Sequence, residues 1–211
     1  MRIVIVNYAS APGISDPAAL LARRVAQTEF ASGLARAGAD VVVVQRFARD
    51  AVLRRDGVVY DFVADGRRPR PRPWATCAAV RRRVADARPD VVHVNGLVFP
   101  VPTRRLRSAL GGEPTIVVQH HAERPRGPAR RAVQRWGLAA ADGFLFTSRA
   151  QAEPWWRSGV LTRDASVVDV IEGSTGLVPV PRELARAHRP LPGSPSLLWV
   201  GRLHRRKDPT T

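Results

Sequence analysis

Apolar residues gather in short blocks, separated by longer stretches in which they recur at helical spacing. Residues 3–6 (IVIV), 41–44 (VVVV), 91–94 (VVHV), 115–119 (TIVVQ), 143–146 (GFLF) and 167–171 (VVDVI) are short runs rich in β-branched or aromatic residues. That is the form of a strand buried on both faces. Residues 58–63 (VVYDFV) make a looser strand. The segment 17–37 reads as one helix, with Leu20, Leu21, Val25, Phe30 and Leu34 on its apolar side. Asp16 and Pro17 supply its cap and first turn, and Gly38 stops it in the left-handed conformation. Further helices are predicted over 74–87, 102–110, 128–141 and 151–157. The Arg88–Pro89 step ends the first of these and Gly111–Gly112 the second. Residues 65–73 are a loop of proline and arginine.

Strands joined by helical crossovers imply an α/β fold, a Rossmann-like parallel sheet flanked by helices. Residues 1–180 are expected to form this domain, with Gly96 and Gly173 in turns beside its strands. Residues 181–196, with Pro190, Pro192 and Pro195, have linker composition. A last apolar run, 197–200, is followed by GRLHRRKD and reads as the opening of a second domain over 197–211.

Composition narrows the class. Hydrophobic residues are 45% of the chain, enough for a buried core. No apolar run is long enough to span a bilayer. Met1 leads straight into a strand, which predicts no signal peptide. Cys77 is the single cysteine, so neither a disulfide framework nor a cysteine zinc site can form. A cytoplasmic location is the expectation. The chain has 34 basic residues against 18 acidic ones, a net charge of +16. Two accounts stay open: GC-rich codon usage, or an anionic partner such as the inner face of a membrane. The arginines are not interleaved with aromatic residues, which argues against nucleic acid.

Parallel α/β sheets bind ligands where their strands end. The loop after the first strand, NYASAPGISDP, has Gly13 alone and no G-x-G-x-x-G. No P-loop and no G-x-S-x-G elbow occurs. The strand ends carry DVVHVNG (90–96), TIVVQHHAE (115–123), DGFLFTSRAQAE (142–153), VIEGSTGL (170–177) and LLWVGRLHRRKD (197–208). In this order and spacing they resemble the family 4 retaining glycosyltransferases of the GT-B fold. The resemblance covers nearly the whole chain and implies the N-terminal, acceptor-side half of such an enzyme, cut off just after its second domain begins. The family's E-x7-E signature is absent, and Asn95 stands where many relatives carry a second histidine.

The resemblance implies a hexosyl transfer from a nucleotide-diphosphate sugar to a sugar or lipid-linked acceptor, with retention, no metal and no cofactor. It places the active-site histidine at His121, with His120 as the neighbour a one-residue shift would select. It assigns the donor diphosphate to Arg202 and Lys207. Charge alone favours a solvated basic turn for those two; the preceding linker, strand and Gly201 favour the donor reading. Gly13, Asn95, Ser148 and Gly173 are further loop candidates, Ser148 being also a natural helix cap. His93 reads as a packed strand residue, and Trp155 and Trp156 as packing or a cleft wall. On this reading the chain alone is inactive in sugar transfer. The alternative is a non-catalytic module that binds a glycan, a lipid headgroup or a partner protein.

Overall fold

The computed structural model describes residues 1–9, 11, 13–64, 77–170 and 180–188. The chain divides into two compact units, Met1–Thr175 and Gly176–Thr211. In the first, the strands are β1 (Arg2–Asn7), β2 (Asp40–Phe47), β3 (Ala51–Arg55), β4 (Val58–Ala64), β5 (Val91–Asn95), β6 (Thr115–Gln119), β7 (Gly143–Phe146) and β8 (Val167–Asp169). They form one sheet in the order β3-β4-β2-β1-β5-β6-β7-β8. Every neighbouring pair is parallel except β3 with β4.

The parallel α/β expectation is met, and the hairpin is an addition to it. Strand β3 was not expected, because AVLRR lacks a clean apolar block. Its turn is Asp56–Gly57, with φ of 52° and 76°. Two left-handed residues in succession give a turn whose twist matches that of the strands it joins.

Period-two alternation gives the sheet two apolar faces. On one, Val4, Val6, Val92, Val94, Ile116, Val118 and Phe146 pack in a core with Val80, Val84, Leu106, Leu138 and Trp155. Those last five belong to helices α3 (Ala78–Asp86), α4 (Pro100–Ala109), α5 (Pro128–Leu138) and α6 (Glu153–Arg157). On the other face, Ile3, Ile5, Val41, Val43, Tyr60 and Phe62 share a core with Leu20, Leu21 and Ala31.

That second face is covered by two helices, α1 (Pro17–Arg23) and α2 (Val25–Arg36), not by the single helix expected. The break falls at Arg24 (φ −107°, ψ 48°). Beyond it Val25 turns outward and is 52% exposed, so it does not join the apolar side. The start and end follow local rules. The Asp16 carboxylate accepts from the Ala18 and Ala19 N–H groups. At the far end the Gly38 N–H donates to Ala35 and the Ala39 N–H to Leu34, with φ of +89° at Gly38. This is a Schellman cap.

The expected 151–157 helix begins earlier, with a 3₁₀ turn over Arg149–Ala152 that runs into α6. Helix α4 likewise starts at Pro100, where the fixed φ of proline suits the first turn. In the second unit, α7 (Arg182–His188) lies inside the segment read as linker. Glu183 in its first turn and Arg186 and His188 in its last complement the helix dipole. Residues 65–73, Gly173 and 197–211 lie outside the described residues.

Candidate functional site

The chain order places a topological switch between β1 and β5. From β1 the connections run outward to β2 and β4 on one side, and then return to β5 on the other. Ligands of open α/β sheets settle at the carboxyl ends of the strands flanking such a point. Four strand ends there carry amides: Gln45, Asn7, Asn95 and Gln119, on β2, β1, β5 and β6. Asn7 is in register with Gln45, and Asn95 with Gln119. The row lies on the α1/α2 face. One level below it are Ile5, Val43 and Tyr60, again in register.

Over these two rows lies a cavity of about 210 Å³. Its roof is Leu20 and Leu21 of α1, Arg24 at the break, and Ala26, Gln27, Thr28 and Phe30 of α2. His121 closes one side. The mouth is therefore polar and the floor apolar, as is usual for a small-molecule site.

His121 is exposed and attached to the row. Its Nε2 lies 3.0 Å from Asn95 Oδ1, and Asn95 Nδ2 donates to Asn7 Oδ1 at 2.5 Å. Its backbone N–H donates to Glu123 Oε2 at 2.6 Å. Donation from Nε2 to Asn95 selects the tautomer with its lone pair on Nδ1. His120 is placed differently. It is buried, stacks on Phe146 at 4.7 Å and meets Trp155 edge-on. Its Nε2 lies 2.9 Å from the Glu123 carbonyl oxygen and its Nδ1 3.1 Å from Gln151 Oε1. The two adjacent histidines thus serve different environments, one the cavity and one the core.

His93 lies in the strand, fully buried, with its ring edge-on to Phe30 at 5.2 Å. Burial, the nearby His121 and a hydrogen bond with Gln119 act on it. The net result is a pKa lowered to about 4, since desolvation of the cation dominates. Ser148 accepts from the Ala150 N–H and so caps the 3₁₀ turn. Gly13, at φ +82°, does not line the cavity. Trp155 is a core residue, while Trp156 carries Arg149 and Arg163 over its ring. Of the expected site residues, Asn95 and His121 meet at the cavity. Arg202, Lys207 and Gly173 lie outside the described residues.

Asn7, Gln45, Gln119, Tyr60 and Arg24 were not expected there. The first three had a visible signal: IVIV-Asn, VVVV-Gln and IVV-Gln each close an apolar strand with an amide. Arg24 had none. Its guanidinium donates to Gln45 Oε1 at 2.8 Å, Gln27 Oε1 at 3.3 Å and the Ala9 carbonyl at 3.3 Å. It thereby ties the β1–α1 loop to the row. Among the described residues, no three His, Cys, Asp or Glu side chains gather as a metal site.

Residues 25–169 match the family described as Glycosyltransferase Family 4. Two solved chains of sucrose-phosphate synthase from Thermosynechococcus elongatus are similar in structure. One has 18% sequence identity and a TM-score of 0.57, covering 83% of this chain and 91% of that one. The other has 17% identity and a TM-score of 0.57, covering 90% of this chain and 53% of that one. At such identities the likeness is one of fold. The chain therefore spans about half the length of the longer chain. No curated protein sequence matches this chain.

Proposed function

Because this chain belongs to glycosyltransferase family 4 and has the Rossmann-like sheet found in GT-B glycosyltransferases, we propose that it forms the acceptor side of a sugar transfer. The donor on this reading is a nucleotide-diphosphate sugar. The product is a hexoside whose anomeric configuration is retained, and the reaction needs neither metal nor cofactor. The observation that supports it is the cavity at the β1/β5 switch, with His121 held at its mouth by Asn95. An acceptor seated on the amide row presents a hydroxyl at the strand ends, next to the imidazole. Four amide side chains offer both donors and acceptors, which suits a hydroxylated ligand. Fixing the two reactants in register supplies much of the rate of such a transfer. Arg202 and Lys207 are proposed to hold the donor diphosphate, as fork and point charge.

The deciding experiment is His121→Ala in the intact enzyme. Turnover should fall by about two orders of magnitude or more, the usual range for a positioned imidazole. Donor affinity should stay within a few-fold. Unchanged turnover would remove His121 from the chemistry.

We infer also that the protein contacts anionic membrane surfaces. The described helices include none long and apolar enough to cross a bilayer. Helix α5, however, exposes Arg130, Arg131 and Arg135 beside Val133 and Trp136. A basic helix with an exposed tryptophan suits the lipid–water interface.

A further inference from the structure

Among the described residues, the cavity at the switch point is lined by one guanidinium and no carboxylate. That guanidinium, Arg24, is half-buried, and burial lowers its pKa below the ordinary arginine value. Its partners among the described residues are Gln27, Gln45 and the Ala9 carbonyl, all neutral. Other arginines of the same unit fare differently. Arg107, with 19% of its side chain exposed, pairs with Asp142, and Arg83 lies 3.8 Å from Asp61. A desolvated cation with neutral partners alone costs free energy that an anion would offset.

The donor count is specific. Arginine has five N–H groups. Nη1 is engaged twice and Nη2 once. This leaves Nε–H and the second Nη2–H, the edge that grips a carboxylate or phosphate through two parallel bonds. The floor of the cavity, formed by Ile5, Val43 and Tyr60, is buried and apolar, so it offers the bound molecule no competing charge.

We propose that the acceptor of this cavity is a small hydroxylated molecule bearing one anionic group, a phosphate or a carboxylate. The anion sits on the free edge of Arg24. Hydroxyls of the acceptor meet the amide row. A cavity of about 210 Å³ holds a single ring, not a polymer segment. This rests on the reading of the cavity as the acceptor site.

The test titrates the 211-residue chain with glucose, glucose 6-phosphate, glucuronate and inorganic phosphate. Calorimetry gives affinity, and the His93 and His121 ring signals in proton NMR report occupancy. At least one anionic hexose should bind about tenfold or more tightly than glucose, the scale of a charge-assisted hydrogen bond. Arg24→Gln should abolish that preference, and Arg24→Lys should keep part of it. Arg23→Gln, on the exposed neighbour, should leave it intact. The phosphate and uronate arms separate the two anions.

An equal loss with Arg23→Gln would reduce the effect to overall positive charge and overturn the proposal. So would inorganic phosphate binding as tightly as the hexose phosphate, because the hydroxyl contacts would then contribute nothing. If glucose binds as well as its anionic forms and shifts His121, the acceptor reading stands and the anion falls. If no hexose shifts either histidine, both fall.

Discussion

At the scale of single residues, His93 makes the clearest physical demand. It is buried with Nε2 unpartnered among the described residues, and its pKa lies at about 4. An unfolded histidine titrates near 6.5, so the unfolded chain takes up the proton first. The stabilisation from keeping His93 neutral is therefore whole above about pH 6.5 and shrinks as the pH falls toward 4. The loss across that window is on the order of 3 kcal/mol. Urea unfolding at a series of pH values should show this slope in the parent and a flatter one in His93→Val. The positive potential of His121 contributes to the depression. An NMR titration of His121→Ala should thus find the His93 pKa raised; a lower value would contradict the contact. Gly96 is equally constrained. Its φ is +105°, and a Cβ there would meet Glu123 Oε1 at 2.9 Å. That carboxylate holds the His121 N–H. Gly96→Ala should therefore disturb the His121 signals even where the fold survives.

Among elements, α4 and α5 approach closely at Gly137. A Cβ on Gly137 would lie 2.4 Å from the Pro100 carbonyl oxygen and 2.5 Å from its carbon. Those are backbone atoms at the start of α4 and have little room to retreat. Although alanine is the better helix former, Gly137→Ala should destabilise the fold by about 1–3 kcal/mol, the usual cost of overpacking. A melting temperature at or above the parent's would show that the helices can slide apart. The hairpin of β3 and β4 shows a different balance of evidence. Asp56–Gly57 is a strong turn signal, and it sits directly before VVYDFV. The weak apolar pattern of AVLRR hid the strand, because at the sheet's edge one partner strand satisfies it.

For the whole molecule, the proposed membrane contact would draw on the net charge of +16. Helix α5 exposes three arginines, Arg130, Arg131 and Arg135, and also Trp136, which is 49% exposed and has Arg104 over its ring at 5.5 Å. Each basic residue near an anionic surface contributes about 1 kcal/mol. Sedimentation with phosphatidylserine-containing vesicles at low salt should recover the protein, and neutral vesicles should not. A variant with Arg130→Gln, Arg131→Gln and Trp136→Ala should lose most of that recovery. Equal recovery on neutral and anionic vesicles would refute the interfacial role of this face.

Features that depend on neighbours along the chain were legible from the residues. The apolar runs are strands because β-branched residues pack on a pleated surface. The Asp16 and Gly38 caps follow from side-chain and backbone geometry within one turn. The motifs at the strand ends also carried the family, which the match over residues 25–169 bears out. Which strand ends meet depends on long-range strand pairing. Asn7 and Asn95 are 88 residues apart, and their hydrogen bond exists because β1 pairs with β5. The break at Arg24 is of the same kind. Its partners Ala9 and Gln45 lie 15 and 21 residues away, so the helical pattern runs through the break undisturbed. The pair His120 and His121 shows the limit most closely. Both leave the same strand end, and strand and motif placed a histidine there. Which ring enters the core and which faces the cavity depended on Phe146, Trp155 and Asn95, supplied by β7, α6 and β5. Local spacing fixes local geometry; the surroundings of a side chain are set by chain brought from far away.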